Sequence, residues 1–221
     1  MRAVLIASLT SFAAPLDACE VALMLAVDVS GSVDNEEYRV QADGLAAALL
    51  DSTVMAALIE GKVELAMMQW TGSGRQAVVI NWTTMKGEEE VLAFADQVAL
   101  QRRLWRDYST AVGEAMALSL DYFGAVPECK RHVIDISGDG ESNEGRLPRS
   151  VWVDLAKSNV TVNALVIEES EPGLTAYFEN EVITGPGAFA VTAMTFDDYP
   201  EQIIRKLYRE LTQAVASLDL P

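Results

Sequence analysis

The chain has 221 residues, half of them apolar, and a formal net charge of −17 from 33 acidic and 16 basic side chains. That length suits one domain with a full core, and the apolar content excludes a disordered chain. The charge excludes nucleic acid as a partner, because no surplus of Lys and Arg exists to displace counterions, and it suits cations, cationic partners or plain solubility.

The chain begins "MRAVLIASLTSFAAPLDACE". Arg2, an apolar stretch from Ala3 to Ala14 and small residues before Cys19 have the make-up of a secretory signal peptide, with residues 1–18 removed and 19–221 forming one domain. The stretch is too short to span a bilayer permanently. The reading therefore places the mature protein outside the cytoplasm, periplasmic or secreted, and soluble. "LDAC" is also close to a lipoprotein box, whose cysteine is acylated, although Asp17 fits that box poorly. The competing role for Cys19 is a disulfide with Cys129, the other cysteine, in an oxidising compartment.

From Val21 onward apolar runs alternate with amphipathic stretches. "VALMLAVDV" reads as a buried strand, and residues 35–50 as a helix behind an Asp34 N-cap. Glu36 and Glu37 suit that helix's first turn, where its dipole favours acids. "KVELAMMQW" and "QAVVINW", joined by "TGSGR", read as a hairpin. A helix over 87–100, a polar aromatic loop over 101–109 and a small-residue helix over 110–123 follow. "RHVIDIS" is the next strand, then a helix with Pro148 in its first turn, the strand "VTVNALVI", a helix around 174–183, the strand "GAFAVTA" and a last helix from about 198 to 218. This alternation predicts a doubly wound, mostly parallel α/β sheet with one antiparallel edge and helices on both faces. Ligands of such sheets bind beyond the carboxyl ends of the strands.

Three oxygen-rich segments fall at those ends. The first is Asp28-Val29-Ser30-Gly31-Ser32, the second "YSTAVGEA" with Thr110, and the third "ISGDGESN" with Asp139. Two carboxylates and three hydroxyls on separate loops suit a hard divalent cation, which takes oxygen ligands and keeps several waters. Unrelated Asx and Ser/Thr turns account for each loop singly but not for the coincidence of all three. His132, at a strand start, reads as a structural histidine. Asp135, inside a core strand, is read as a group orienting the site loops or as an acid bonded to backbone amides.

The pattern D-x-S-x-S, then T-x-x-G-x-A, then S-G-D-G resembles the von Willebrand factor type A (vWA) domain, in which these segments form the metal-ion-dependent adhesion site (MIDAS). "LAVDVSGSVDNEEYRVQADGLAAAL", "RHVIDISGDGESNEG" and "VITGPGAF" look more narrowly like the DUF1194 family, a bacterial branch of that fold. The resemblance implies that Ser30, Ser32 and Thr110 offer hydroxyl ligands while Asp28 and Asp139 hold metal-bound waters. It implies Mg²⁺, or Mn²⁺ or Ca²⁺, and a non-enzymatic module that binds an acidic group on a protein partner. Beside this site the loop 101–109 carries Arg102, Arg103 and Arg106, interleaved with Trp105 and Tyr108, the residue types that anchor interfaces. With the strand order of the resemblance, Asp28 and Asp139 end neighbouring parallel strands. Running back nine residues (28 − 19) and ten (139 − 129) then brings Cys19 and Cys129 together at the opposite end, at the spacing a disulfide accepts.

Two other function classes remain open. A haloacid dehalogenase-type phosphohydrolase also uses a strand-end Asp with magnesium. It wants a second carboxylate two residues on, where this chain has Ser30, and a later strand-end Lys, which is not evident. A lipid-anchored structural envelope protein with a vestigial site is the other.

Overall fold

The computed structural model describes residues 19–213. The predicted signal peptide, the cleavage position and the final residues of the predicted last helix lie outside that range.

Six strands form one sheet in the order β3-β2-β1-β4-β5-β6. They are β1 (Val21–Asp28), β2 (Glu64–Trp70), β3 (Gln76–Thr84), β4 (Arg131–Gly138), β5 (Val160–Ile167) and β6 (Ala190–Ala193). All neighbours are parallel except β2 and β3, the hairpin at one edge. The helices are α1 (Asn35–Leu49), α2 (Ser52–Glu60), α3 (Glu88–Leu100), α4 (Val112–Tyr122), α5 (Trp152–Lys157), α6 (Leu174–Tyr177) and α7 (Tyr199–Thr212).

β1 is buried along its whole length, which is why it reads as an unbroken apolar run. Its period of two still sorts the side chains. Leu23, Leu25 and Val27 face a core layer shared with α1, α2, α3 and α7. Ala22, Met24 and Ala26 face a second layer with α4, α5 and α6. The sheet is thus packed between two core layers, and the loops at its carboxyl edge are where ligands can be placed.

Local chemistry sets the helix starts. Asp34 caps α1 by accepting from Glu36 N and Glu37 N, and Glu37 Oε2 accepts from Asp34 N at 2.6 Å, a reciprocal capping box. Asp51 caps α2 by accepting from Thr53 N and Val54 N, without a reciprocal bond. α2 lies where the apolar pattern signalled no element, because it buries only Val54 and Leu58, a single i, i+4 pair. Pro148 opens a 3₁₀ turn over Pro148–Val151 that leads into α5. The helix expected around 174–183 divides into α6 and a π-helical turn over Phe178–Val182.

Asp135 takes neither role expected of it. It forms an ion pair at 2.5 Å with Lys206 of α7, which is fully buried and also bonded to Glu210 at 2.6 Å. A charge inside β4 is held by a counter-charge from a helix 71 residues along the chain (206 − 135), which no local pattern announces. His132 lies at the amino end of β4, away from the loops, with Nε2 3.0 Å from Val126 O and its ring edge-on to Phe123.

Cys19 and Cys129 form a disulfide, with Cα atoms 4.5 Å apart. Val21 of β1 pairs with Arg131 of β4, so each cysteine stands two residues before a paired position, at the amino end of the sheet.

Candidate metal centre

Asp28 closes β1, and the backbone beyond it leaves the sheet after one more bond, Val29 N to Trp70 O at 2.9 Å. The turn that follows folds onto the aspartate. Ser30 N donates to Asp28 Oδ1 at 2.7 Å, and Ser30 Oγ lies 3.3 Å from Ser32 Oγ. Ser32 Oγ in turn donates to Asp139 Oδ1 at 2.6 Å, joining the β1 loop to the β4 loop. Register explains the meeting: Val27 pairs with Ser137, so Asp28 stands level with Gly138 and Asp139 is one step further out. Gly138 gives Asp28 room, since a Cβ there would stand 3.2 Å from Asp28 Oδ2 and 3.4 Å from the Phe178 ring, a tight fit.

Thr110 comes from the loop before α4 and is clamped by the β4 loop. Its N–H donates to Asn143 Oδ1 at 2.9 Å, and its carbonyl accepts from Asn143 N and Glu144 N. The glycine of T-x-x-G also has a reason here, because a Cβ on Gly113 would meet Arg146 O at 2.2 Å. Ser32, Thr110 and Asp139 share the wall of a cleft of about 490 Å³, with Tyr108, Glu141 and Glu171 around its rim. All five residues expected as metal ligands are thus drawn to one end of the sheet.

Electrostatics single out Asp28. It is fully buried, and Oδ2 has no hydrogen-bond partner. Burial first, and the nearby Asp139 second, push its carboxyl well above the usual carboxylate range. Burial also raises Asp139, eased by the hydroxyl of Ser32. Two buried acids whose charges repel, one with an orphaned oxygen, cost free energy unless a cation or proton compensates. Among the described residues no three His, Cys, Asp or Glu side chains form a cluster able to hold a metal. The donor set here is instead a mixture of carboxylates and hydroxyls, which fits a hard oxygen-seeking cation that keeps part of its water.

The loop 101–109 divides by role. Arg102 and Arg106 are exposed, and Tyr108 is exposed with the Arg75 guanidinium 3.8 Å over its ring. Trp105 is partly buried against the core. Arg103 turns inward, its Nη2 donating to Ser30 O at 2.7 Å and Val29 O at 3.3 Å. The sequence reading placed no site role on Asn143, Gln69 or Glu171. A polar residue at the end of the apolar run "LAMMQW" was the available signal for Gln69.

A central parallel sheet with one antiparallel edge, carrying three oxygen-rich loops at its carboxyl rim, defines a vWA-type fold. Solved structures similar to it include proximal thread matrix protein 1 from the mussel byssus (17% identity, TM-score 0.66, covering 86% of this chain and 47% of that one). Another is von Willebrand factor type A from Catenulispora acidiphila (17% identity, TM-score 0.62, covering 89% and 44%). A further structure of the mussel protein, at 15% identity and TM-score 0.61 over 88% of this chain and 48% of that one, has a zinc-occupied MIDAS motif. The chain spans less than half the length of each. The chain belongs to the family described as protein of unknown function DUF1194, whose model matches residues 18–215. A comparison with curated proteins by sequence gives no match.

Proposed function

We propose that this protein is an exported, non-enzymatic binding module that uses a divalent cation, Mg²⁺ or Mn²⁺, to grip an acidic group on a protein partner. The observation that carries the reading is the orphaned, fully buried Asp28 Oδ2 beside Asp139 and the paired hydroxyls of Ser30 and Ser32. Asp28 and Asp139 would hold the ion through water, and Ser30, Ser32 and Thr110 would supply neutral oxygens. A cation so ligated keeps an affinity for one more anionic oxygen, which a partner's Asp or Glu provides. The mussel protein's zinc-occupied MIDAS supports the fold's capacity for such an ion. The disulfide supports an oxidising compartment, and it occupies the Cys19 sulfur that a lipid anchor would need. Position 30, a serine, argues against phosphohydrolase chemistry.

Calorimetric titration of the wild-type chain with Mg²⁺ and Mn²⁺ tests the site. Weak binding is expected, because no closed carboxylate cage exists. Asp28→Ala should abolish it and Asp139→Ala should weaken it strongly; unchanged binding by Asp28→Ala refutes the assignment. For the partner, reversing the exposed Arg102 and Arg106 to Glu should slow association and reduce its salt sensitivity. Partner binding indifferent to both a chelator and these reversals excludes the model.

A further inference from the structure

The Asp28–Ser32 loop is tied to β2 through Val29 N and to the β4 loop through Ser32 Oγ. It is also gripped from the side by the segment that joins α3 to α4, and that segment is fastened to the end of β2. Gln69, fully buried, donates from Nε2 to Arg102 O at 3.0 Å and accepts at Oε1 from Leu104 N at 2.9 Å. One amide thus takes a donor and an acceptor on either side of Arg103 and fixes the backbone there. Tyr38 of α1 completes the anchor, receiving a bond from Gln69 Nε2 at 2.9 Å and donating to Gln101 O.

From that fixed point Arg103 reaches two successive carbonyls of the site loop, Val29 O and Ser30 O, in front of the hydroxyl-bearing turn. A second grip lies five residues on, where Gly31 N donates to Tyr108 O at 2.8 Å; a Cβ on Gly31 would come within 3.1 Å of that oxygen. Thr71 Oγ1 pins the same strand of loop through Ser109 O at 2.9 Å. The β2 end, the 101–109 loop and the site loop are therefore one hydrogen-bonded unit.

We propose that Arg103, set in place by Gln69, is a positioning residue that holds the Asp28–Ser32 loop in its cation-binding geometry. The inference rests on the metal-site reading above. Both bonds leave one nitrogen, Nη2, while Nε is buried without a partner, so the device needs a donor with the reach of this side chain. It differs from Arg102 and Arg106, which point to solvent and are free to meet a partner. The opposite possibility is physical as well: a fixed positive charge near the site acting only through Coulomb's law repels a cation, so its removal would strengthen binding.

The test compares the wild-type chain, Arg103→Met, Arg103→Lys and, as a remote control for charge, Arg205→Met. Each is titrated with Mn²⁺ and followed by amide hydrogen exchange without metal. Positioning predicts about tenfold weaker Mn²⁺ binding in Arg103→Met, a smaller loss in Arg103→Lys and none in Arg205→Met. It also predicts faster exchange at Ser30 and Gly31 in the metal-free Arg103→Met protein. Wild-type or tighter Mn²⁺ binding by Arg103→Met overturns the proposal. If that variant fails to fold, Arg103→Gln takes its place, and wild-type Mn²⁺ affinity with unchanged exchange at Ser30 and Gly31 overturns the proposal instead. A wild-type chain that ignores Mn²⁺ sinks the metal-site reading; exchange at Ser30 and Gly31 then decides this inference alone, faster in the variant upholding the loop's dependence on Arg103 and unchanged refuting it.

Discussion

Asp28 is the residue at which stability and binding pull apart. Its carboxylate is fully buried, accepts one backbone bond and leaves Oδ2 unpartnered, with Asp139 close enough to repel it. A side chain selected for fold stability alone would not be an acid here. Asp28→Asn keeps the size and the Ser30 N–H acceptor while removing the charge. The metal-free variant is therefore expected to melt above the metal-free wild type, yet to lose the stabilisation that added Mg²⁺ or Mn²⁺ gives the wild type. Thermal unfolding with and without metal checks both signs, and a metal-free variant that melts lower contradicts the strain assigned to Asp28.

Among the elements, α7 is attached to the sheet by charge as well as by Ile203 and Leu207. Lys206 sits between Asp135 of β4 and Glu210, and Asn163 of β5 donates to Glu210 Oε1 at 2.9 Å. Arg131 of β4 bonds the Glu210 carbonyl at 2.8 Å from outside. Two acids share one buried ammonium, and one oxygen of each acid lacks a partner. Burial first, then Asp135, push the Glu210 carboxyl up to about 8 against the opposing pull of Lys206. The folded chain thus holds a proton that the unfolded chain releases near its ordinary value of 4.5. Its contribution to stability is complete below that value and is lost as pH rises to about 8. Denaturant unfolding across this window should show a decline for the wild type that Glu210→Gln flattens. Lys206→Met leaves both acids without their cation and should cost about 3–5 kcal/mol, the range for breaking a buried ion pair.

Across the whole molecule, the cation site and the disulfide occupy opposite poles of the same two strands. β1 and β4 each run eight residues between them, a separation of roughly 25 Å. The bridge closes a loop with a sequence separation of 110. Reduction should therefore lower unfolding stability by about 2–4 kcal/mol. At that distance it should leave the affinity for Mn²⁺ unchanged, which calorimetry on the reduced, alkylated chain measures. A reduced chain that stays folded but loses the cation would mean that the two poles are mechanically linked.

The alternation of apolar runs and amphipathic stretches determined the layered sheet, its antiparallel edge and the three oxygen-bearing loops, because each signal is local: a period of two or 3.6, a cap, a turn. The cysteine pairing was legible only through the strand order that the vWA resemblance supplied, which made β1 and β4 neighbours and turned nearly equal counts back along them into adjacent positions. α2 escaped because one buried pair is too short a stretch to reveal a period. What only the tertiary structure decided was partnership between side chains. Nothing in the sequence sets Lys206 apart from the other charges of the last helix, and the fold placed it against Asp135. Arg102, Arg103 and Arg106 read as one basic cluster, and the bonds of Gln69 on either side of the middle one turned it toward the site loop. Burial and counter-charge are properties of the space between elements, and sequence periodicity carries no record of which element will fill it.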